Sequence, residues 1–400
     1  MCKSSLLLLL VCLFQTSCNA QPNDGASTHP HSFPNAEACD GCEEIFTGMP
    51  IEISAVDTSP GWHTDEIKLL ITGTVFQLDG LTPAPNTLIY YYHTDGTGRY
   101  PTRKNETDVW NNHGAYRGWV RSDAFGKYAI FTSRPAPYPD LSTPAHIHIL
   151  IIEDRFDFPY FLDDFVFDDD VLTIAAQKKK PFENRGGSGI LRPLLAEQMQ
   201  IAEHNIILGL NIPNYPSSVH SEKTSGSAIG EVSPSFMPFH AWGPDRGERV
   251  CPICKYGRFH GILYFIGNNP DWSEIKSWLQ YLEKESVDRQ NYLKVVFVYG
   301  NENNYGKAMR ESELAKIGEE LNIKNTALTF VPSLHDQTSE VHLFKINSAV
   351  ENTFIIYRHR DIIGKFIDLK ANEDNFKRIA LTLDQTQSEF NDLQEVWRSK

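Results

Sequence analysis

Apolar and polar positions alternate in short runs between about residues 48 and 215, and turn residues separate the runs. Ile67–Phe76, Thr87–His93, Arg117–Arg121, Tyr128–Thr132, His146–Ile152 and Asn205–Ile212 read as strands. Asp79-Gly80, Asp95–Gly98 and Asp123–Gly126 supply turns between them. Helical periodicity is weak throughout, so the stretch predicts an all-β domain. From 233 to 395 the period changes. Ile262–Ile266, Lys294–Tyr299, Thr326–Val331, Thr353–Tyr357 and Ile363–Leu369 read as strands. Trp272–Lys284 and Glu311–Leu321 read as helices, the first with Ile275, Trp278, Leu279 and Leu282 at helix spacing. A last helical segment follows. Strands alternating with helices predict an α/β layer. Residues 216–232, rich in Ser, Gly, Thr and Glu, read as a linker.

Lys3 followed by the apolar Leu6–Phe14 predicts a secretory signal over residues 1–20. Two processing sites compete. Ala20 suits an ordinary signal peptidase. Cys18, preceded by the small Ser17, resembles the lipidated cysteine of a bacterial lipoprotein and would anchor the chain to a membrane. Either way the protein is expected to be exported, to the periplasm or cell envelope or beyond. Residues 21–47, polar and aperiodic, read as a tether. No apolar run reaches the roughly 20 residues a spanning helix needs. Lys and Arg total 37 against 51 Asp and Glu, a net charge of −14 over 400 residues. That balance argues against nucleic-acid binding, which needs basic surface against phosphate.

Within the β stretch, His146 and His148 stand two apart on a strand and so share a face. Neutral imidazole is a common ligand of iron, zinc and copper. Tyr100 and Tyr138 offer phenol oxygens, which become ligands only when a strong Lewis acid lowers their pKa. Two Tyr with two His therefore favour Fe(III) over zinc. Gly98-Arg99-Tyr100, Arg117–Tyr128, Pro135–Pro139 and Pro144–His148 occur in that order. Together they resemble the intradiol ring-cleavage dioxygenases over about residues 65–213. The resemblance implies a β-sandwich and one Fe(III) held by Tyr100, Tyr138, His146 and His148. It also implies a small aromatic diol and O2 as substrates, with ring cleavage between the two hydroxylated carbons. One tyrosinate, released from the metal, would help deprotonate the diol. The chain departs from the family at three places. Thr143 stands where an Arg is expected, Asp140 where a Trp is common, and Asp164 where a Gln is expected. Arg99 and Arg121 are candidate substitute cations, with structural ion pairing as the simpler role. Asp163, Asp164, Asp168, Asp169 and Asp170 read as a solvated turn rather than a calcium loop.

The seven cysteines include two C-x-x-C pairs, Cys39/Cys42 and Cys251/Cys254. Cys39/Cys42 reads as a local disulfide. Cys251-Pro252-Ile253-Cys254 resembles a thioredoxin-like redox motif, and the resemblance extends over about 235–395. It implies that Cys251 is the attacking thiolate, that Cys254 resolves the mixed disulfide, and that a thiol partner exists. Glu351 or Asn352 takes the place of the family's proline before the closing hairpin. A structural disulfide and a zinc site built from both pairs are the alternatives for these cysteines. The expected protein is thus an exported Fe(III) dioxygenase with a thioredoxin-like domain. The alternative is a non-catalytic β-sandwich binding module joined to a thiol–disulfide domain.

Overall fold

The computed structural model describes residues 42–102, 113–156, 159–216, 224–290 and 292–396. The signal, Cys18, Cys39 and most of the tether lie outside the described residues, as does 217–223 of the linker. The N-terminal part contains β1 (Val56–Thr58), β2 (Lys68–Phe76), β3 (Leu88–His93), β4 (Arg117–Arg121), β5 (Lys127–Ser133), β6 (His146–Ile152), β7 (Tyr160–Phe161) and β8 (Phe165–Phe167). Helix α1 (Val171–Lys179) follows, then β9 (Ile190–Leu191), β10 (Leu194–Ala196), β11 (Met199–Glu203) and β12 (Ile206–Ile207). The C-terminal part contains β13 (Phe239–Trp242), α2 (Pro252–Tyr256), β14 (His260–Ile266), α3 (Trp272–Asp288), β15 (Leu293–Tyr299), α4 (Lys307–Glu320) and β16 (Ala327–Phe330). It ends with β17 (Thr353–Arg358), β18 (Asp361–Ile367), α5 (Glu373–Gln385) and β19 (Gln394–Glu395).

Two sheets face each other in the N-terminal part. One runs β1-β5-β2-β11-β10-β19 with β12 also on β2, and the other β4-β3-β6-β8-β9 with β7 also on β6. Leu69, Ile71, Val75 and Ile130 from the first pack against Ile89, Val120, Ile147, Ile149 and Ile151 from the second. Every second residue of β6 is therefore committed to the core. His146 and His148 are left on the opposite face. Ile45, inside the stretch read as a tether, is buried against Trp119, whose indole N–H donates to the Ile45 carbonyl at 2.8 Å.

Three sequence expectations change. The run from Asn205 gives only the two-residue β12, because Gly209 and Asn211 adopt positive φ and turn the chain away. Helix α1 interrupts the β domain where no helix was expected. Asp170 caps it, accepting from the Leu172 N–H at 2.9 Å. The acidic run is not a solvated turn, since each carboxylate has a partner. Asp163 pairs with Arg185, Asp164 with His148, Asp168 with Arg192 and Asp169 with Arg134. Asp170 also accepts from the Ala145 N–H. Half-buried carboxylates need such partners to offset lost hydration.

The C-terminal sheet runs β13-β16-β15-β14-β17-β18, with β14, β15 and β16 parallel and the other pairings antiparallel. This is the α/β layer that the alternation predicts. Helix α3 starts where Asp271 accepts from the Ser273 and Glu274 N–H groups. Its Ile275, Trp278, Leu279 and Leu282 are buried with Leu314 and Ile317 of α4 and Ile379 and Leu383 of α5 on one face of β14. The opposite face, through Leu263 and Phe265, covers Cys251, Ile253 and Phe344. Strand β19 returns to the first sheet, pairing with β10. No helix among the described residues is long and apolar enough to cross a membrane.

His204 and His260 are buried, one in each part, and burial holds them at about 4 and about 3, with nearby arginines adding to the shift. A folded-state pKa below the unfolded value of 6.5 means the unfolded chain binds more protons between the two. Stability from these groups is present above pH 6.5 and is lost as pH falls towards 4. The loss is roughly 2 kcal/mol for each histidine by about pH 5. Thermal melts are expected to show the midpoint dropping between pH 7.5 and 5, with His260→Gln visibly flattening the drop. An unchanged slope in that variant would remove His260 from the account.

Candidate metal centre

The centre lies on the outer face of the β4-β3-β6-β8-β9 sheet. Strand β6 presents His146 and His148, and Tyr92 stands opposite His148 on β3. Tyr100 and Tyr138 arrive on two loops that the sequence separates widely. Gly98 brings these loops together. Its φ is +76°, and a Cβ there would lie 2.0 Å from the Pro137 carbonyl oxygen, so a side chain would force the loops apart. The Ala136 N–H also donates to the Asp95 carbonyl at 3.1 Å, tying the second loop to the turn that precedes Tyr100.

The structure brings all four candidate ligands together. Tyr100 Oη lies 3.1 Å from Tyr138 Oη and 3.0 Å from His148 Nε2, which lies 3.1 Å from His146 Nε2. Donors about 2 Å from a common ion, in adjacent positions, stand about 3 Å apart. The ring orientations are fixed from behind. His146 Nδ1 lies 2.7 Å from the Pro144 carbonyl, and His148 Nδ1 lies 2.9 Å from Asp164 Oδ1. A carbonyl and a carboxylate only accept, so both Nδ1 atoms carry the proton and both Nε2 atoms are left with lone pairs. Two lone pairs facing each other at 3.1 Å need a cation or an extra proton between them. Burial lowers the His146 pKa, with the neighbouring His148 adding to it, which opposes the proton. The donor set therefore fits a metal ion.

The phenols narrow the choice of ion. Burial, then the hydrogen bond and charge of Tyr138, raise the Tyr100 pKa above the ordinary tyrosine range. Only a strong Lewis acid converts such a phenol to phenolate at neutral pH, and hard anionic oxygens with imidazole suit ferric iron. Burial alone would raise Asp164, yet its hydrogen bond to His148 and nearby positive charge hold it below the ordinary carboxylate range. It is thus the anionic partner that a metal-bound imidazole uses. Tyr92 stacks on His148 at 4.4 Å and on His113 at 3.8 Å, stiffening the pair from one side.

A cleft of about 560 Å³ opens beside the two histidines, with Thr143, Phe161, Asp163, Asp164 and Arg185 among its walls. Neither Arg99 nor Arg121 lines it. The Arg121 guanidinium bonds to Asn86 instead, and Arg99 is exposed beside Asp95. The cations that do line the cleft, Lys180 and Arg185, are paired with Glu183 and Asp163. Sequence reasoning did not find Asp164 as the partner of His148, nor Arg185 in the cleft. The sequence signals for Asp164 are its place in an acidic run and its standing where the resemblance expects a Gln, and neither ties it to His148. Cys251 and Cys254 lie in the C-terminal part, joined to each other as a disulfide.

No family model matches the chain. A chlorocatechol 1,2-dioxygenase of Pseudomonas sp. (strain P51) is 30% identical over 172 residues, covering 37% of this chain and 64% of that protein. Part of this chain is therefore similar to an intradiol dioxygenase. The chain spans slightly less than two thirds of that relative's length. Among solved structures, the dioxygenase domain of a dioxygenase carbohydrate-binding protein fusion from Streptomyces sp. SirexAA-E is 16% identical. It covers 41% of this chain and 94% of that one, with a TM-score of 0.30. An intradiol ring-cleavage dioxygenase from Tetranychus urticae is 16% identical over 42% and 92% of the two chains, also with a TM-score of 0.30. Likenesses of that size say nothing about chemistry.

Proposed function

We propose that the β-sandwich holds one Fe(III) through Tyr100, Tyr138, His146 and His148 and cleaves a catechol-type ring with O2 between its two hydroxylated carbons. The observation that carries this reading is the convergence of four donor atoms at 3.0–3.1 Å, with both Nδ1 protons committed elsewhere. The similarity to a chlorocatechol 1,2-dioxygenase over 37% of the chain supports it. Bound there, a ferric ion supplies Lewis acidity and a template for the substrate oxygens. Asp164 and the Pro144 carbonyl keep the imidazoles aimed. With the ion bound, one tyrosine of the pair would be held as phenolate, and that oxygen is the base that would take a substrate proton. The cleft beside the histidines receives the ring against Phe161 and Leu162.

The charge of the cleft selects the substrate. Its described lining has Asp163, Asp164 and Glu183 against Lys180 and Arg185, and both cations are already paired. A benzoate carboxylate finds no unpaired cation among the described lining residues. Catechol is therefore expected to be turned over with a kcat/KM at least about tenfold above that of 3,4-dihydroxybenzoate. The test is a visible spectrum of aerobically purified, iron-quantified protein, followed by oxygen uptake with each diol. A tyrosinate-to-iron absorption that shifts with catechol, is weakened in Tyr138→Phe and is lost when Tyr100 and Tyr138 are both replaced by Phe is the expected result. A colourless, iron-free protein after reconstitution would sink the reading.

Thr143, standing where the resemblance expects an Arg, favours a second reading in which the sandwich binds catechols without cleaving them. A spectral shift with no oxygen uptake would select that reading. For the C-terminal part we propose a thioredoxin-like domain whose Cys251–Cys254 pair exchanges with thiols. Its parallel core strands followed by an antiparallel hairpin support this. We also propose export, with Cys18 as the lipid-bearing residue.

A further inference from the structure

The two sulfurs of the Cys251–Cys254 disulfide are not equivalent. Cys251 is 7% exposed and packs in a cluster with Phe236, Ile253 and Phe265. Cys254 is exposed. The backbone N–H of Cys254 donates to the Cys251 sulfur at 3.0 Å. The Ser235 hydroxyl lies 3.5 Å from the Cys254 sulfur.

Thiol–disulfide exchange needs an incoming thiolate in line with the S–S bond, so access decides which sulfur is attacked. The core blocks the approach to Cys251, while Cys254 faces solvent. The leaving sulfur must then carry negative charge. Burial opposes a thiolate at Cys251, but the Cys254 N–H is already aimed at that sulfur and stabilises it as it leaves. Helix α2 has only five residues, so the help comes from this one N–H rather than from an extended helix dipole.

We infer that Cys254, not Cys251, is the sulfur that exchanges with an external thiol, and that Cys251 is the buried leaving and resolving thiolate. This reverses the order implied by the thioredoxin resemblance, and it rests on the proposal that the pair is a thiol–disulfide centre. In the first step an external thiolate forms a bond to the Cys254 sulfur. The Cys251–Cys254 bond breaks, and its electron pair stays on Cys251 as thiolate. A second thiolate attacks the external sulfur of the mixed disulfide, releasing Cys254 as thiolate beside the Ser235 hydroxyl. Two thiols are oxidised to one disulfide, the protein disulfide is reduced by two electrons, and solvent protons complete the two protein thiols. The partner class is a thiol reductant, and in the reverse direction a disulfide substrate.

The test uses the folded full chain. The protein is exposed briefly to reduced glutathione and quenched with an alkylating agent, and the glutathionylated peptide is identified by mass spectrometry. Adducts on Cys254 are expected to exceed those on Cys251 by at least about tenfold. Challenged instead with oxidised glutathione, whose S–S bond is the oxidant, Cys251→Ser is expected to take up and hold the adduct on Cys254 with release of one reduced glutathione, and Cys254→Ser to form little on the buried Cys251, with circular dichroism checking that both remain folded. Equal adducts, or a preference for Cys251, would overturn the assignment; the wild-type map gives this answer even where a variant misfolds. A different failure marks the underlying reading. If dithiothreitol opens the bond in urea but not in the folded chain, the pair is a structural staple, and both the centre and its polarity fall.

Discussion

Replacing His148 with alanine is expected to leave a folded protein that no longer retains iron. His148 Nε2 is within 3.1 Å of both Tyr100 Oη and His146 Nε2, so its loss opens the middle of the donor chain. Affinity is expected to fall by at least about 100-fold, since even the partners of metal ligands are worth 10–100-fold. The fold has reason to survive. The core side of β6 is carried by Ile147, Ile149 and Ile151, none of which changes. The imidazole lies on the other face and also stacks on Tyr92, so lost packing must be separated from lost ligation. His113→Ala supplies that control, because His113 stacks on Tyr92 from 3.8 Å and hydrogen-bonds the Tyr90 hydroxyl. Metal analysis after dialysis, with a thermal melt of each variant, gives the comparison. Iron retained in His148→Ala, or lost equally in His113→Ala, would count against a four-donor centre.

How much of this centre was legible depended on the range over which each feature acts. The His146 and His148 pairing follows from the two-residue period of a strand, a local rule, and the isoleucines between and after them fix which face is buried. The proximity of Tyr100 and Tyr138 follows from no local rule. It depends on two loops meeting at Gly98 and Pro137, and only the ordered motifs of the family resemblance pointed to it. The acidic run was misread for a related reason. Composition gives the charge of Asp163–Asp170 but not the partners, which come from 16 to 35 residues away in sequence. Helix α1 was missed because Val171 and Ile174 are exposed, so no apolar stripe marks it. Helix α3 was legible because its Ile275, Trp278, Leu279 and Leu282 form such a stripe, and Asp271 marks its start.

Asp164 separates orientation from simple packing at the centre. It lines the cleft, but at the centre it acts through His148, and there it is a positioning residue. Its carboxylate holds the Nδ1 proton, keeps Nε2 free for the metal and, by its charge, makes the imidazole a stronger donor. Asp164→Asn can still offer a carbonyl oxygen to the Nδ1 proton, so it keeps the tautomer and loses only the charge. Asp164→Ala loses both. Iron affinity measured against a chelator is expected to fall about tenfold in the first and about 100-fold in the second. The tyrosinate-to-iron absorption should move in both variants, because a weaker imidazole leaves the ferric ion more electron-poor. A packing role alone would lower the melting temperature without moving that absorption or ranking alanine below asparagine. Wild-type affinity in Asp164→Ala would show that the Pro144–His146 and Tyr92–His148 contacts suffice to hold the ring pair, and that the Asp164 contact has no part in metal binding.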